Sequence, residues 1–359
     1  MNRAHNFSAG PAVLPVEVLE ETSKAVIDFE NLGMSIMEVS HRSKEFDNVV
    51  VEAQKDCLKL MGLSEDEYSV LFLGGGASTQ FLMIPMNFLR NKADYVNTGA
   101  WSKKAIKEAK WVGQCDVVAS SEETVFNFIP KDIKFNNDAD YVHITTNNTI
   151  YGTEYKEIPD VGNVPLVADM SSDIFARKLD FSKFNIIYAG AQKNIGPSGV
   201  TLVVIKKDWL SKQNDNVPTM LNYKTHIDKA SMFNTPPCLP IYVVGRVFKW
   251  IERQGGLEAI QERNEKKANL IYDFIDANSD FFKGHAKKED RSLMNVTWNL
   301  PTPELEAQFV KEAREKYNMT NLKGHRSVGG NRASIYNACT HESVETLVKF
   351  MEEFMKANK

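Results

Sequence analysis

Short apolar segments alternate with helical patterns through the first two thirds of the chain, and this alternation constrains the fold more than any other feature. The apolar segment 69–73 ends in three consecutive glycines, 74–76, and a helical pattern with Pro85 in its middle follows over 77–89. Further apolar segments of this kind lie at 95–96, 141–145, 165–169, 185–189 and 200–205. Because they are apolar without strict alternation, we expect strands that helices cover on both faces. The predicted fold class is α/β, a three-layer domain around a mostly parallel sheet.

Helical patterns also open the chain and dominate its last third. The spacing of apolar residues predicts helices over 16–29 and 46–60, and two long helices, 241–254 and 257–277, that Gly255 and Gly256 separate. A smaller α+β domain is predicted from strand patterns at 294–300 and 333–336 and helical patterns at 303–317 and 342–356. We therefore predict a large domain over 16–255 and a small domain formed by 1–15 and 256–359. The proline-rich segment 208–240 reads as irregular, either a functional loop system or a surface excursion.

Composition and charge exclude several classes of protein. The chain has 359 residues, of which 43% are hydrophobic and 25% charged, as in an ordinary globular protein of about two domains. Its 43 basic and 47 acidic side chains give a net charge of −4, which offers no general attraction for nucleic acid or an anionic membrane. No segment reaches the roughly 20 apolar residues of a membrane span. We expect neither nucleic acid nor membrane as a partner.

The four cysteines lie far apart, at positions 57, 115, 238 and 339. This spacing predicts neither a zinc site nor a disulfide framework, so we expect no metal and a reducing compartment. The first 15 residues contain two prolines and scattered polar residues in place of the apolar stretch of a signal peptide. A cytoplasmic location is expected.

Two residues at predicted strand ends suggest chemistry. Lys193 follows an apolar strand pattern inside a loop of small residues, which would let a planar ligand approach the backbone. Asp169 ends the preceding strand pattern, where an open α/β sheet binds its ligands. Taken singly, Lys193 also fits a solvated turn and Asp169 a helix or turn cap. Their occurrence 24 residues apart, together with the glycine turn, favours a shared site.

These parts are what a pyridoxal phosphate (PLP) site needs. A lysine amine forms a Schiff base with the aldehyde, a carboxylate keeps the pyridine nitrogen protonated, and amides at a helix N-terminus hold the phosphate. The glycine turn at 74–76 lacks the GxGxxG and GK[ST] patterns, so dinucleotide and P-loop sites are not indicated. Trp101 could stack on the pyridine ring or be a core aromatic.

Five segments carry a resemblance to a known family. They are NFSAGPA (6–12), MEVSHR (37–42), AGAQKNIG (189–196), SMFNTPP (231–237) and KGHRSVGG (323–330) followed by RASIYN (332–337). In these segments, and in their order along the whole chain, the sequence resembles the phosphoserine aminotransferases. The resemblance implies a fold-type I PLP enzyme of class V. It also implies a homodimer with shared active sites that exchanges an amino group between glutamate and 3-phosphohydroxypyruvate.

The resemblance implies a role for particular residues in holding PLP. Lys193 corresponds to the Schiff-base lysine, Asp169 to the partner of the pyridine nitrogen and Trp101 to the stacking aromatic. The other cofactor-binding residues that it implies are Thr149, Gln192, Gly76, Ala77 and Ser78, with Asn234 and Thr235 reaching the phosphate from the other subunit. Some family members carry an arginine where this chain has Ala77, so the phosphate here would depend more on backbone amides, Ser78 and the partner chain.

The resemblance also implies a set of substrate-binding cations. Arg332 corresponds to the arginine that binds the α-carboxylate, which matches the paired donors of a guanidinium. Two His-Arg pairs correspond to groups that bind the substrate's phosphate or the side-chain carboxylate of glutamate: His41 with Arg42, and His325 with Arg326. Outside the family motifs, either pair would be read as surface charge.

The resemblance implies a two-step cycle in which Lys193 is both the cofactor anchor and the base that moves the α-proton. Some relatives also aminate a phosphorylated hydroxythreonine-type keto acid in vitamin B6 synthesis, and no residue decides whether this chain does. A cysteine desulfurase is the alternative within the same fold, and it would need an activated thiol such as Cys238 or Cys339. A non-catalytic PLP-binding protein is disfavoured because Lys193, Asp169 and Arg332 are all present.

Overall fold

The computed structural model describes residues 3–359, so the first two residues of the predicted segment 1–15 lie outside it. Nine α-helices and fourteen strands are formed over this range. The helices are α1 (Val16–Ile27), α2 (Lys44–Met61), α3 (Gly76–Phe88), α4 (Ala100–Val112), α5 (Tyr223–Ile227), α6 (Cys238–Arg253), α7 (Gly256–Ala277), α8 (Pro303–Tyr317) and α9 (His341–Asn358). The strands are β1 (His5–Asn6), β2 (Tyr68–Leu73), β3 (Lys92–Asn97), β4 (Gln114–Ser120), β5 (Val142–Thr145), β6 (Asn147–Asn148), β7 (Thr153–Glu154), β8 (Leu166–Asp169), β9 (Ile186–Gly190), β10 (Thr201–Lys206), β11 (Lys283–Gly284), β12 (Asn295–Asn299), β13 (Met319–Thr320) and β14 (Asn331–Ser334).

A seven-stranded sheet in the order β2-β10-β9-β8-β5-β3-β4 forms the centre of the fold. Only β10 runs antiparallel to its neighbours, and all the other pairings are parallel. The prediction of an α/β fold with a mostly parallel sheet is therefore confirmed. A smaller antiparallel sheet in the order β11-β12-β14 lies in the last third of the chain.

Helices cover both faces of the large sheet, which explains why its strands are apolar throughout. In β2, Val70 and Phe72 belong to the core that includes residues of α1, α2 and α6. Their neighbours Leu71 and Leu73 belong to the core on the other face, which includes residues of α3 and α4. Successive side chains of a strand point to opposite faces, so a strand buried on both sides has no polar positions to alternate.

A separate core forms around the last third of the chain. Trp298, Phe309 and Phe350 pack there with other buried residues between 268 and 354, and Phe7 joins them from the N-terminal segment. Strand β1 places Phe7 in this core by pairing with β13. The division into 16–255 on one side and 1–15 with 256–359 on the other stays a prediction, and this second core is in keeping with it.

The two-residue strands β1, β6, β7, β11 and β13 were not predicted, because they are too short to show a pattern, and two longer segments also differ from the prediction. The edge strand β4 was not predicted, because its polar, half-exposed sequence QCDVVAS lacks the apolar pattern of a buried strand. The segment 208–240 is less irregular than expected, since it contains α5 and short 3₁₀ turns at Lys207–Lys212 and Thr219–Leu221. Among residues 3–359, no helix is both long enough and apolar enough to cross a bilayer.

Candidate active site

A cavity of about 190 Å³ opens at the carboxyl ends of the parallel strands. Strands β5, β8 and β9 end there, and the turn between β2 and α3 reaches the same edge. Seven of the predicted cofactor-binding residues line the cavity: Gly76, Ala77, Ser78, Trp101, Asp169, Gln192 and Lys193. A larger cavity of about 630 Å³ between the N-terminal segment and α9 contains none of the predicted site residues.

Lys193 lies just beyond the end of β9. Its Nζ donates a 2.7 Å hydrogen bond to Oγ1 of Thr149 and lies 5.4 Å from the centre of the Trp101 ring. Burial removes the ammonium from water and lowers the pKa of Lys193 to about 8. The negative charge of Asp169 raises this pKa, and the positive charge of Arg332 lowers it further. The neutral, nucleophilic fraction of the amine near neutral pH is therefore much larger than that of an ordinary lysine, although most of the amine is still protonated at pH 7.

Asp169 is the last residue of β8 and is almost completely buried. Its Oδ1 accepts a 2.9 Å hydrogen bond from the backbone N–H of Ser171. Burial raises the pKa of Asp169, while the hydrogen bond from Ser171 and the charge of Lys193 act in the opposite direction. A buried carboxylate of this kind favours a cationic partner, and a protonated pyridine nitrogen is such a partner.

The N-terminus of α3 forms the opposite end of the cavity. Gly75 and Gly76 adopt left-handed φ angles of 86° and 68°, which glycine accepts without strain. No acidic side chain occupies the first turn, and no side chain caps the helix. The free backbone amides of this turn, together with the hydroxyl of Ser78, suit a phosphate dianion.

Unpartnered polar atoms provide a test of whether PLP fits the cavity. Nε1 of Trp101 and Oγ1 of Thr145 are buried and have no hydrogen-bond partner in the part of the chain that the structure describes. Both residues line the cavity. Buried polar groups of proteins are normally paired, so these two atoms are in keeping with a polar ligand. With the amine, the carboxylate and the helix N-terminus, the residues present fit PLP.

Arg332 connects the small sheet to this cavity. It lies on β14, and its Nη1 donates a 3.3 Å hydrogen bond to the backbone carbonyl of Thr149. Its Nε is buried and unpartnered within residues 3–359. Thr149 therefore contacts both Lys193, through its hydroxyl, and Arg332, through its carbonyl.

The remaining predicted residues do not line the cavity of their own chain. Asn234 and Thr235 lie in an exposed loop before α6, and His41 and Arg42 lie in the segment before α2. His325 and Arg326 lie in the loop before β14, where Nδ1 of His325 is 2.7 Å from Oγ of Ser327.

Eight residues that line the cavity were missed by the sequence reasoning. Gly190, Ser198, Gly199 and Val200 belong to β9 and to the loop before β10, and the other four are Thr145, Asn147, Ser171 and Ser172. Thr145 ends β5, Ser171 and Ser172 follow β8, and Nδ2 of Asn147 donates a 2.8 Å hydrogen bond to Oγ of Ser172. The rule that picked out Asp169, a polar residue at the carboxyl end of an apolar strand, could have found these last four.

Comparisons with known proteins identify the family. Residues 4–347 match the family model of class-V aminotransferases. A phosphoserine aminotransferase of Desulfatibacillum aliphaticivorans is 57% identical, over 99% of each chain. This chain belongs to the phosphoserine aminotransferase family. A solved phosphoserine aminotransferase of Bacillus circulans subsp. alkalophilus superposes with a TM-score of 0.97 at 50% identity, over 99% of each chain. The PLP-bound phosphoserine aminotransferase of Trichomonas vaginalis does so with a TM-score of 0.92 at 38% identity, over 98% of this chain and 100% of that one.

Membership of this family confirms several predictions. The chain has the fold-type I architecture and is a PLP-dependent aminotransferase that acts on small molecules. The cysteine side chains do not support the alternative of a cysteine desulfurase. Burial raises the pKa of both Cys238 and Cys339, which is the opposite of what a thiolate nucleophile requires.

Proposed function

We propose that this enzyme transfers the amino group of glutamate to 3-phosphohydroxypyruvate, giving 2-oxoglutarate and 3-phosphoserine, as in serine biosynthesis. The observation that carries the proposal is the placement of Lys193 and Asp169 in one cavity with Arg332 joined to it through Thr149. The cavity thus holds a nucleophilic amine and a buried carboxylate, and a guanidinium for a substrate carboxylate is attached to the cavity wall through Thr149. The relatives that match this chain over nearly their full length are phosphoserine aminotransferases, and they support the choice of substrates.

Bound PLP supplies an electron-accepting ring that stabilises the negative charge left on the substrate carbon when its α-proton is removed. Asp169 would pair with the protonated pyridine nitrogen and so maintain the positive charge on the ring. The amides at the start of α3, with Ser78 and Gln192, would hold the phosphate, and the indole of Trp101 would be the stacking partner of the ring. Because Ala77 provides no cation here, the amides carry more of the phosphate binding.

Lys193 has two functions in this proposal. Its amine binds the cofactor aldehyde covalently between turnovers, and it holds the proton that passes between the substrate's Cα and the cofactor. A pKa of about 8 leaves the free amine able to accept a proton near neutral pH. Thr149 orients the amine through the 2.7 Å hydrogen bond to its Oγ1.

The cations around the cavity bind the two substrates. Arg332 takes the α-carboxylate, for which its unpartnered Nε is available. His325 and Arg326 take the distal phosphate or the side-chain carboxylate of glutamate, with His41 and Arg42 as the second pair. Several flexible side chains can bind the phosphate of one substrate and the side-chain carboxylate of the other in turn, whereas a single guanidinium held in one position could not.

We also propose a homodimer, in the cytoplasm, with active sites shared between subunits. Asn234, Thr235 and Arg42 are exposed and His41 is half-buried, and none of the four lines the cavity of its own chain. In the dimer, Asn234 and Thr235 would contact the cofactor phosphate of the partner's site. The free cysteines of the chain agree with a reducing compartment.

A spectrum of the PLP-loaded protein tests the function. Glutamate should convert the yellow form to one without the visible band, 3-phosphohydroxypyruvate should restore it, and 2-oxoglutarate and phosphoserine should form in equal amounts. The Lys193→Ala variant should not cycle. Conversion of cysteine to alanine and sulfide, with no response to glutamate, would overturn the proposal in favour of a desulfurase.

A further inference from the structure

A lysine that neither the family resemblance nor the cavity lining picks out lies directly against Trp101. Nζ of Lys104 is 4.1 Å from the centre of the Trp101 ring, closer than the 5.4 Å of Nζ of Lys193. Lys104 and Trp101 are three positions apart on α4, which places them on the same side of the helix. The indole therefore contacts two ammonium groups, one inside the cavity and one outside it.

Lys104 differs from its neighbour in having no anion to pair with. Nζ of Lys103 forms a 2.6 Å ion pair with Oε1 of Glu122. Within residues 3–359, Lys104 has no carboxylate at ion-pair distance and no hydrogen-bond acceptor for its Nζ. Within the described chain its ammonium is thus unpaired, and it lies against an indole that lines a site for anionic ligands.

The loop that carries His325 and Arg326 packs on the same apolar cluster as the first residue of α4, the helix of Lys104. Val328 of the loop contacts the small apolar cluster of Phe126, Ile150 and Tyr151, and Ala100, the first residue of α4, packs on the same cluster. The pKa of His325 is lowered by burial first and then by the charges of Arg332, Arg326 and Lys104, so all three positive charges act on this imidazole.

We propose that Lys104 is a specificity-determining residue whose ammonium binds the distal phosphate of the phosphorylated substrate and favours it over the distal carboxylate of glutamate. The proposal rests on the proposed function of the site. A phosphate monoester carries about −1.5 to −2 charges near pH 7, whereas a carboxylate carries one. One added cation therefore stabilises the phosphate more, and the long side chain of Lys104 lets its ammonium leave the indole to reach it.

Equilibrium titration of the PLP-loaded enzyme with two unreactive probes tests this. 3-Phosphoglycerate carries a carboxylate and a phosphate, glutarate carries two carboxylates, and neither has an amino or keto group to react. In Lys104→Gln, the Kd of 3-phosphoglycerate should rise by about threefold to tenfold and that of glutarate by less than about twofold. The extra weakening of 3-phosphoglycerate by Lys104→Gln should become smaller as the salt concentration is raised. Lys104→Arg keeps the positive charge and should bind 3-phosphoglycerate about as tightly as the parent enzyme.

Two control variants separate the possible failures. Lys103→Gln removes a charge one residue away and should leave both dissociation constants unchanged. Arg332→Gln should weaken both probes. If Arg332→Gln weakens both but Lys104→Gln weakens neither, or weakens both equally, the role of Lys104 is overturned and the proposed site stands. If Arg332→Gln weakens neither probe, the proposed site itself is wrong and the role of Lys104 fails with it.

Discussion

Nζ of Lys193 donates a hydrogen bond to Oγ1 of Thr149, and the carbonyl of Thr149 accepts one from Arg332. One residue thus fixes the positions of the amine that carries the chemistry and the guanidinium proposed to bind the substrate's carboxylate. Thr149 follows strand β6, whereas Arg332 lies on β14 of the small antiparallel sheet, so the contact joins two segments that are far apart along the chain.

Replacement of Thr149 by valine should impair catalysis without unfolding the protein. The variant keeps the shape of the side chain and the carbonyl that Arg332 uses, but it removes the acceptor for Nζ of Lys193. Hydrogen bonds to charged groups contribute about 1.5–3 kcal/mol, so kcat/KM should fall by about 10- to 100-fold. Steady-state kinetics measure this, and Thr149→Ser should keep most of the activity. Equal kcat/KM in Thr149→Val and the parent would show that the hydrogen bond has no role.

The pKa of Lys193 in the cofactor-free protein predicts a pH dependence. Because only the neutral amine is acylated, the rate of acetylation of Lys193, followed by mass spectrometry, should rise with pH and reach half its maximum near pH 8, below the ordinary lysine value of 10.5. Asp169→Asn removes a negative charge that favours the ammonium, so the midpoint should fall. Arg332→Gln removes a repelling positive charge, so the midpoint should rise. A midpoint above pH 10 in the parent, or shifts of the opposite sign, would contradict this account.

Lys267 should be important for stability, though not for chemistry. It is buried on α7, and its Nζ donates hydrogen bonds to the carbonyls of Ile335, Tyr336 and Cys339, which lie just beyond β14. Lys267→Met removes three buried hydrogen bonds. It leaves the carbonyls of Ile335 and Cys339 without a donor, whereas that of Tyr336 still accepts from the backbone N–H of Cys339. The free energy of unfolding should fall by about 2–5 kcal/mol in urea titrations.

The matched control for Lys267 is its neighbour. Lys266 is exposed, and among residues 3–359 its one ion-pair partner is Glu262, so Lys266→Met should lower the free energy of unfolding by less than about 1 kcal/mol. Similar losses in the two variants would show that the buried hydrogen bonds of Lys267 contribute nothing.

Gly330 should be required for the correct placement of Arg332. It has a left-handed φ of 64°, and a Cβ added there would lie 2.4 Å from the backbone carbonyl of Trp298. Gly330→Ala should therefore displace the start of β14 and raise the KM for glutamate severalfold. Gly329 has a similar φ of 76°, but a Cβ there would meet only Nδ2 of Asn299, at 4.0 Å. Gly329→Ala should lose about 1–2 kcal/mol of stability from the backbone strain alone and keep the KM for glutamate. If both variants had the same KM for glutamate, the clash at Gly330 would have no role in the placement of Arg332.

The central strands and the candidate site were predictable for the same physical reason. Strands buried on both faces read as continuous apolar segments, and their carboxyl ends mark where a ligand can lie, which is how Asp169 and Lys193 were found. Edge strand β4 escaped prediction because half of its residues face solvent. The contact between Thr149 and Arg332 joins residues 183 positions apart, and no local pattern encodes it. The position of Lys104 over Trp101 was likewise visible only in the folded chain.

The central claim is that the amine of Lys193 moves the α-proton of the substrate. The most direct test is to incubate the PLP-loaded enzyme with glutamate in D₂O and to follow the Cα–H signal by NMR. The parent enzyme should exchange this proton for deuterium, and Lys193→Arg, which keeps the charge but has no neutral amine, should exchange it at least about 1000-fold more slowly. Exchange at the parental rate in Lys193→Arg would show that another group moves the proton.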